Sequence, residues 1–174
     1  MKRFPLSKSL SAAVLAVAAI ALSACGFTPL YGVQGVSPTL AAIEVVAPPG
    51  RAGFLLREKL DDALGRGTAA PAYRLTMTLA ENRYPRGVRV DNVANRYELQ
   101  LVIDYSLTAV NGGVVKTGHI QSAVTYDSAD QPYASIAAEQ DGQERAAAEA
   151  ARQIQLDLAS WLARRDIVAP KVPA

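Results

Sequence analysis

The stretch Asn95–Ala109, NRYELQLVIDYSLTA, alternates between apolar and polar residues more regularly than any other part of the chain. Successive side chains of a β-strand point to opposite faces, so the pattern predicts a strand with one buried and one solvated face. The buried face is expected to carry Tyr97, Leu99, Leu101, Ile103, Tyr105 and Leu107. Such a strand needs a second layer of structure to cover its apolar side.

Three further segments read as strands. Asn111-Gly112-Gly113 predicts a tight turn directly after the strand Asn95–Ala109, because glycine accepts the backbone angles that hairpin turns require. Val114–Tyr126 then returns as a strand, and Tyr73–Ala80 upstream alternates in the same manner. Ala41–Ala47 contains a short strand, whose pairing partner the sequence does not identify.

Two segments have the spacing of amphipathic helices. In Arg51–Leu64 the apolar residues recur on one helical face, and Gly65 is a natural C-terminal stop. After Pro132 the chain is expected to be helical to about Arg165, with a capping box at Asp141 and Glu144 where the regular helix begins. The apolar stripe of this last helix is expected to consist of Ala147, Ala151, Ile154, Leu158, Trp161 and Leu162.

The predicted order of elements is therefore β-α-β-β-β-α. An alternating sheet has one apolar face, which two amphipathic helices suffice to cover. We expect an α+β fold, a two-layer sandwich in which two helices pack on one face of a four-stranded, mostly antiparallel sheet. The domain is expected to span residues 39–166, with a flexible tail at 167–174.

The N-terminus has the features of a signal peptide, predicted to span residues 1–24. Basic residues precede an apolar run of 13 residues, Leu10–Leu22, which is shorter than the roughly 20 residues that a membrane-spanning helix needs. The run leads into Leu22-Ser23-Ala24-Cys25, which resembles the lipobox of bacterial lipoproteins. Cys25 is the only cysteine, so the resemblance implies lipidation there and a tether over residues 25–38.

The lipid would hold the protein in a membrane, because more than one acyl chain gives stable anchoring. Gly26 follows the cysteine, where an Asp commonly signals retention in the inner membrane. The expected location is therefore the outer membrane, with the protein facing the periplasm.

Removing the signal peptide changes the charge of the protein. The mature chain has 174 − 24 = 150 residues, with 18 − 3 = 15 basic and 16 acidic side chains, a net charge of −1. A nucleic-acid-binding domain would be basic overall or on one face, so nucleic acid is not an expected partner.

The sequence offers few groups for catalysis. The single histidine, His119, alternates with Thr117 and Gln121 and is expected to be an exposed strand residue. Asp61 and Asp62 are adjacent on a helix and point in different directions. No metal-binding spacing or phosphate loop accompanies them, so we expect a non-enzymatic protein without cofactor or metal.

A cluster of arginines joins the second and third strands. Arg83, Arg86, Arg89 and Arg96 fall within 14 residues, and Pro85 and Gly87 among them indicate a loop. One interpretation is a solvated hairpin with local ion pairs of low energy. The other is a phosphate-binding patch, because guanidinium groups bind phosphate oxygens in a bidentate manner.

The chain resembles the LPS-assembly lipoproteins, the LptE family, in its alphaproteobacterial form. The resemblance is carried by Cys25–Gly32, Asn95–Leu99, Tyr126-Asp127 before Pro132, and Gln143–Arg145 in the Ala-rich helix. It implies a two-helix, four-stranded sandwich that plugs the LPS translocon β-barrel, an LptD-type partner, and helps it to assemble.

The same resemblance implies contact with LPS through basic residues near the hairpin of the second and third strands. Arg89 and Arg96 lie nearest to that region, and Arg83 and Arg86 complete the set of candidates. A second basic site, near the start of the last helix, is replaced here by Glu139. The alternative function is a periplasm-facing auxiliary lipoprotein that binds a lipid in a pocket within the fold.

Overall fold

A computed structural model of the protein describes residues 36–65, 70–88, 90, 94–128 and 131–168. Cys25, the predicted signal peptide and Arg89 lie outside the described residues. The helices and strands are α1 (Val36–Ala41), β1 (Ile43–Val45), α2 (Arg51–Leu64), β2 (Tyr73–Val88), β3 (Ala94–Ala109), β4 (Val114–Asp127) and α3 (Pro132–Val168).

The four strands form one sheet in the order β1-β2-β3-β4. β2, β3 and β4 pair antiparallel, whereas β1 pairs parallel to the first residues of β2, from Tyr73 to Leu75. This confirms the predicted α+β class and the mostly antiparallel sheet. It also identifies β2 as the partner of the first strand.

The alternation of β3 decides where the core lies. Leu99, Leu101, Ile103 and Leu107 are fully buried and Tyr105 is 3% exposed, while the residues between them remain partly or fully exposed. α2 and α3 pack together over this buried face, so the core is a single cluster between the helices and the sheet.

The helix α2 has the predicted bounds; it ends at Leu64 and is followed by Gly65, where φ is +74°. The helix α3 begins at Pro132, nine residues before the predicted capping box, so Asp141 lies inside the helix. The Asp141 side chain accepts a hydrogen bond from Arg145, one turn later, at 2.8 Å. Proline is tolerated in the first turn of a helix, whose N–H groups have no partner within the helix. α3 also continues to Val168, two residues into the predicted tail.

The short helix α1 is absent from the sequence prediction, which placed residues 36–38 in an irregular tether. Val36 and Leu40 are buried and belong to the core, so these residues are part of the fold. Pro38 suggested an irregular segment, but it lies in the first turn of α1, where proline is accepted. Within the described part of the chain, no helix combines the length and hydropathy required to cross a membrane.

Candidate functional site

The candidate site is the end of the sheet that carries Arg83, Arg86 and Arg96, which we call the arginine end. The prediction that Arg83 and Arg86 lie in a loop is wrong, because β2 continues through Pro85 to Val88. Pro85 is tolerated because odd-numbered residues of β2 direct their backbone groups away from β3, so no ladder hydrogen bond is lost. The pairing with β3 shifts register on either side of Gly87.

The three arginines are divided between the two faces of the sheet. Arg83 lies opposite the buried Leu99 and therefore points toward the helices. Arg86 donates two hydrogen bonds to Glu98, of 2.8 and 3.0 Å, on the face that no described helix covers. Arg96 donates to Asp127 on that same uncovered face, at 2.7 Å. They do not form one patch.

Each of these arginines is neutralised by a carboxylate. Arg83 contacts Glu139 at 3.1 Å, as Arg86 contacts Glu98 and Arg96 contacts Asp127. The hydrogen bonds from Arg86 lower the pKa of Glu98, and those from Arg96 lower the pKa of Asp127. An anionic ligand would therefore compete with a carboxylate at every one of these three positions.

Two tyrosines lie beside Arg83 on the helix side. The guanidinium carbon is 5.0 Å from the centroid of the Tyr97 ring, and Tyr97 stacks on Tyr126 at 5.7 Å. The Tyr126 hydroxyl is buried and has no hydrogen-bond partner among the described residues. Burial raises the pKa of Tyr126, which the nearby Arg83 guanidinium opposes. These contacts hold Arg83 between the aromatic rings and α3.

The first half of α3 is attached to this end by polar contacts. Glu139, which replaces the expected second basic site, binds Arg83. One turn later, Gln143 donates to Glu81 at 2.9 Å and accepts from Arg51 of α2 at 3.0 Å. Arg83 is thus part of the contact between β2 and α3, a role that its position in the sequence did not indicate.

The uncovered face also carries the single histidine. His119 Nδ1 lies 2.7 Å from Asp104 Oδ1, and both side chains are more than half exposed. Exposure of His119 was predicted. Among the described residues, no group of three or more His, Cys, Asp or Glu side chains is arranged to hold a metal ion.

Sequence reasoning missed a polar junction at the opposite end of the core. The Tyr105 hydroxyl donates to Asp157 of α3, and Lys116 Nζ lies 2.9 Å from the same carboxylate. The alternating pattern of β4 could have indicated this junction, because it places Lys116 on the same face of the strand as Ile120 and Tyr126. This junction connects β3, β4 and α3.

Comparison with known proteins identifies the family. Residues 38–158 match the lipopolysaccharide-assembly family, LptE, over more than half of the chain. The chain belongs to the LptE family. This confirms the resemblance recognised in the sequence. No curated protein matches the chain.

Solved structures agree with this membership. A lipoprotein from Caulobacter crescentus is 58% identical, with 76% of this chain and 98% of that chain covered and a TM-score of 0.67. The rare lipoprotein B from Shewanella oneidensis (14% identity, 71% and 98% covered, TM-score 0.54) shares the fold. So does a minor lipoprotein from Acinetobacter baumannii (14% identity, 70% and 94% covered, TM-score 0.52). The similarity to the Caulobacter protein fits the alphaproteobacterial type expected from the sequence.

Proposed function

We propose that this LptE-family protein is a lipoprotein of the outer membrane, anchored by lipid on Cys25 and facing the periplasm. In this proposal it plugs the β-barrel of the LPS translocon, an LptD-type partner, and helps that barrel to assemble and to deliver LPS. It acts without catalysis. The match of residues 38–158 to the lipopolysaccharide-assembly family carries the proposal.

The uncovered face of the sheet supports a role as a plug. Thr76, Ser106 and Thr117 form a row of small polar side chains across β2, β3 and β4, and Thr76 Oγ1 lies 2.7 Å from Ser106 Oγ. Hydroxyl and amide groups suit a polar contact with bridging waters, which is common at interfaces between proteins. Thr78, Gln100 and Thr108 extend this surface.

The alternative function, lipid binding inside the fold, receives no support from the described core. The space between sheet and helices is filled by large side chains that are less than 2% exposed, among them Leu56, Leu60, Leu101 and Leu158. A cleft of about 550 Å³ lies instead at the surface between β1 and α2, where Arg57, Glu58 and Asp61 contribute to its lining. An acyl chain requires an apolar lining.

Copurification tests the proposed function. The full chain, isolated from detergent-solubilised outer membranes, is expected to bring the translocon barrel with it in near-equal amount. A Cys25→Ser variant separates the two parts of the proposal: it should lose fractionation with membranes if Cys25 is lipidated. A wild-type protein that is recovered alone contradicts the plug function.

Contact with LPS is a separate part of the proposal, and its candidates are Arg89 and Arg96. We expect the Arg89→Glu, Arg96→Glu double variant to retain less LPS in a pull-down than the wild type. Arg152→Glu is the matched control, because Arg152 is also an exposed arginine paired with a carboxylate, Glu149. Equal retention by all three proteins would assign Arg96 to local ion pairing alone.

A further inference from the structure

The outer edge of β2 is largely unpaired in the described part of the chain. β1 pairs with β2 only from Tyr73 to Leu75, and the last hydrogen bond runs from Val46 N–H to the Leu75 carbonyl at 2.9 Å. β2 continues to Val88, thirteen residues further. No described strand lies beside that continuation.

The backbone groups that face this edge follow from the pairing of β1. Tyr73 N–H donates to the Ala42 carbonyl and the Leu75 carbonyl accepts from Val46, so odd-numbered residues of β2 direct both groups outward. In an antiparallel pair these directions alternate along the strand. Met77, Leu79 and Glu81 therefore present backbone donors and acceptors to whatever lies beside β2.

The edge has two parts of different character. From Thr76 to Ala80 it has no charge, no proline and no register shift, and Met77 and Leu79 are half-buried against the core. From Glu81 onward it carries charged side chains, Pro85 and the shifted pairing around Gly87. Charges, prolines and bulges are the features by which proteins protect sheet edges against pairing. The first part has none of them.

The other edge of the sheet differs in this respect. Along β4, Lys116 points inward and is held by Asp157, and the pairing shifts register between Leu107 and Thr108. An inward-facing charge on an edge strand opposes addition of a further strand.

We propose that the segment Thr76–Ala80 is a docking edge. An extended, uncharged segment of the barrel polypeptide pairs there as an additional strand, on the same side of β2 as β1. Its backbone pairs with Met77 and Leu79, and its apolar side chains meet those two residues on the helix side. The identity of this partner rests on the proposed function.

The arrangement of charges argues against a second copy of this chain as the partner. Two copies of β2 can pair antiparallel about a two-fold axis only between Thr76 and Tyr84, because β1 occupies Leu75 and Pro85 lacks an N–H. Centred on Ala80, this pairing sets Glu81 opposite Leu79 and Arg83 opposite Met77. Charged side chains against apolar ones disfavour such a contact.

Hydrogen exchange tests the docking edge. In the isolated protein, the amides of Met77 and Leu79 should exchange rapidly, and in the copurified complex they should become protected. The amides of Ala123 and Thr125 face the outer edge of β4 and serve as the control. Equal protection at both edges would indicate general shielding by the barrel, and protection already present in the isolated protein would indicate that the edge is covered within the chain. Either result overturns the inference.

Proline substitution tests the backbone directly. Leu79→Pro removes an outward N–H, and Leu79→Ala is the matched control that loses the side chain but keeps the donor. We expect the proline variant to retain about tenfold less barrel than the alanine variant, the effect of about one hydrogen bond. Equal retention overturns the inference. If the proline variant does not fold, Ala80→Lys against Ala123→Lys replaces the pair, since both alanines are exposed and a lysine opposes pairing at an edge without removing a donor. Equal retention of the barrel by these two variants overturns the inference.

The outcomes separate this inference from the proposed function. A wild-type protein that recovers no barrel contradicts the function itself. A wild-type protein that recovers the barrel, together with unprotected amides at Met77 and Leu79, contradicts only the docking edge. Sedimentation of the isolated protein as a dimer with those amides protected would assign the edge to a second copy instead.

Discussion

Gly118 of β4 lies directly beneath the ring of Tyr105, whose hydroxyl donates to Asp157. A Cβ at Gly118 would fall within the tyrosine ring, so alanine there forces the ring away from its contact with α3. Overpacking of this kind costs about 2 kcal/mol. We expect Gly118→Ala to lower the free energy of unfolding by that amount in urea denaturation. Gly113→Ala is the control with no atom within 4 Å of the new Cβ, and it should change stability little.

Asp157 gives the protein a specific dependence on pH. Burial favours its protonated form, but hydrogen bonds from Tyr105 and Lys116 outweigh burial and lower its pKa in the folded state. The resulting stabilisation is therefore present above the ordinary pKa of about 4 and is lost as pH falls through the folded value. We expect Asp157→Asn to be less stable than the wild type by about 1 kcal/mol at pH 7, with the difference shrinking toward pH 3.

Urea midpoints at the two pH values measure this difference. Asp62→Asn removes the same charge from an exposed position of α2 and is the control, which should show no such change. A difference between wild type and Asp157→Asn that stays constant with pH would contradict this role of the carboxylate.

At the scale of elements, the first turns of α3 depend on a small number of polar contacts. Most side chains from Pro132 to Glu139 are exposed, including Tyr133 and Ile136, so little apolar burial holds this part of the helix. The Arg83–Glu139 pair is itself half exposed and is worth less than about 1 kcal/mol. Its effect is therefore expected to be local.

Glu139→Gln should accelerate hydrogen exchange at residues 132–140 while leaving the global midpoint of unfolding nearly unchanged. Such local opening is common where few buried contacts hold a segment. Arg152→Gln removes an arginine–glutamate pair within α3 itself, in the packed middle of the helix, and should alter neither measurement. A large loss of global stability in Glu139→Gln would show that the pair supports the whole fold.

The sequence alone predicted those elements in which apolar residues recur at a regular spacing along the chain. β3 was recognised because its burial repeats every two residues. α2 was recognised because its buried residues recur about once per helical turn. The length of β2 was not recognised, because the acceptability of Pro85 depends on which way its missing N–H points. α1 was missed since six residues with a proline carry too little periodicity.

The site was predicted less completely than the fold, for a related reason. The sequence located the arginines, but their partners are distant in the chain: Glu139 is 56 residues from Arg83, and Asp127 is 31 from Arg96. Only the pairing of β3 with β4 and the placement of α3 bring these groups together. The sequence alone therefore could not decide whether the arginines form local ion pairs or a phosphate-binding patch.

For the molecule as a whole, one core connects the helices with the sheet. The buried cluster includes residues of α1, α2, α3 and all four strands, so no described element has a separate core of its own. Because α2 and α3 cover a single face, the other face of the sheet is polar, and no described helix lies on it. The described helices thus stabilise the sheet from one side, and loss of the α3 packing should expose the part of its apolar face that α3 covers.

A single core predicts that the protein unfolds as one unit. Trp161, the only tryptophan, lies on α3 with its ring 6.4 Å from that of Tyr73 at the start of β2, so its fluorescence reports the contact between helix and sheet. Far-UV circular dichroism reports all elements together. We expect the two signals to give the same urea midpoint, as two-state unfolding requires. Trp161→Phe supplies the fluorescence background. If fluorescence changed at a lower urea concentration than dichroism, α3 would detach before the sheet unfolds, and the single core would not act cooperatively.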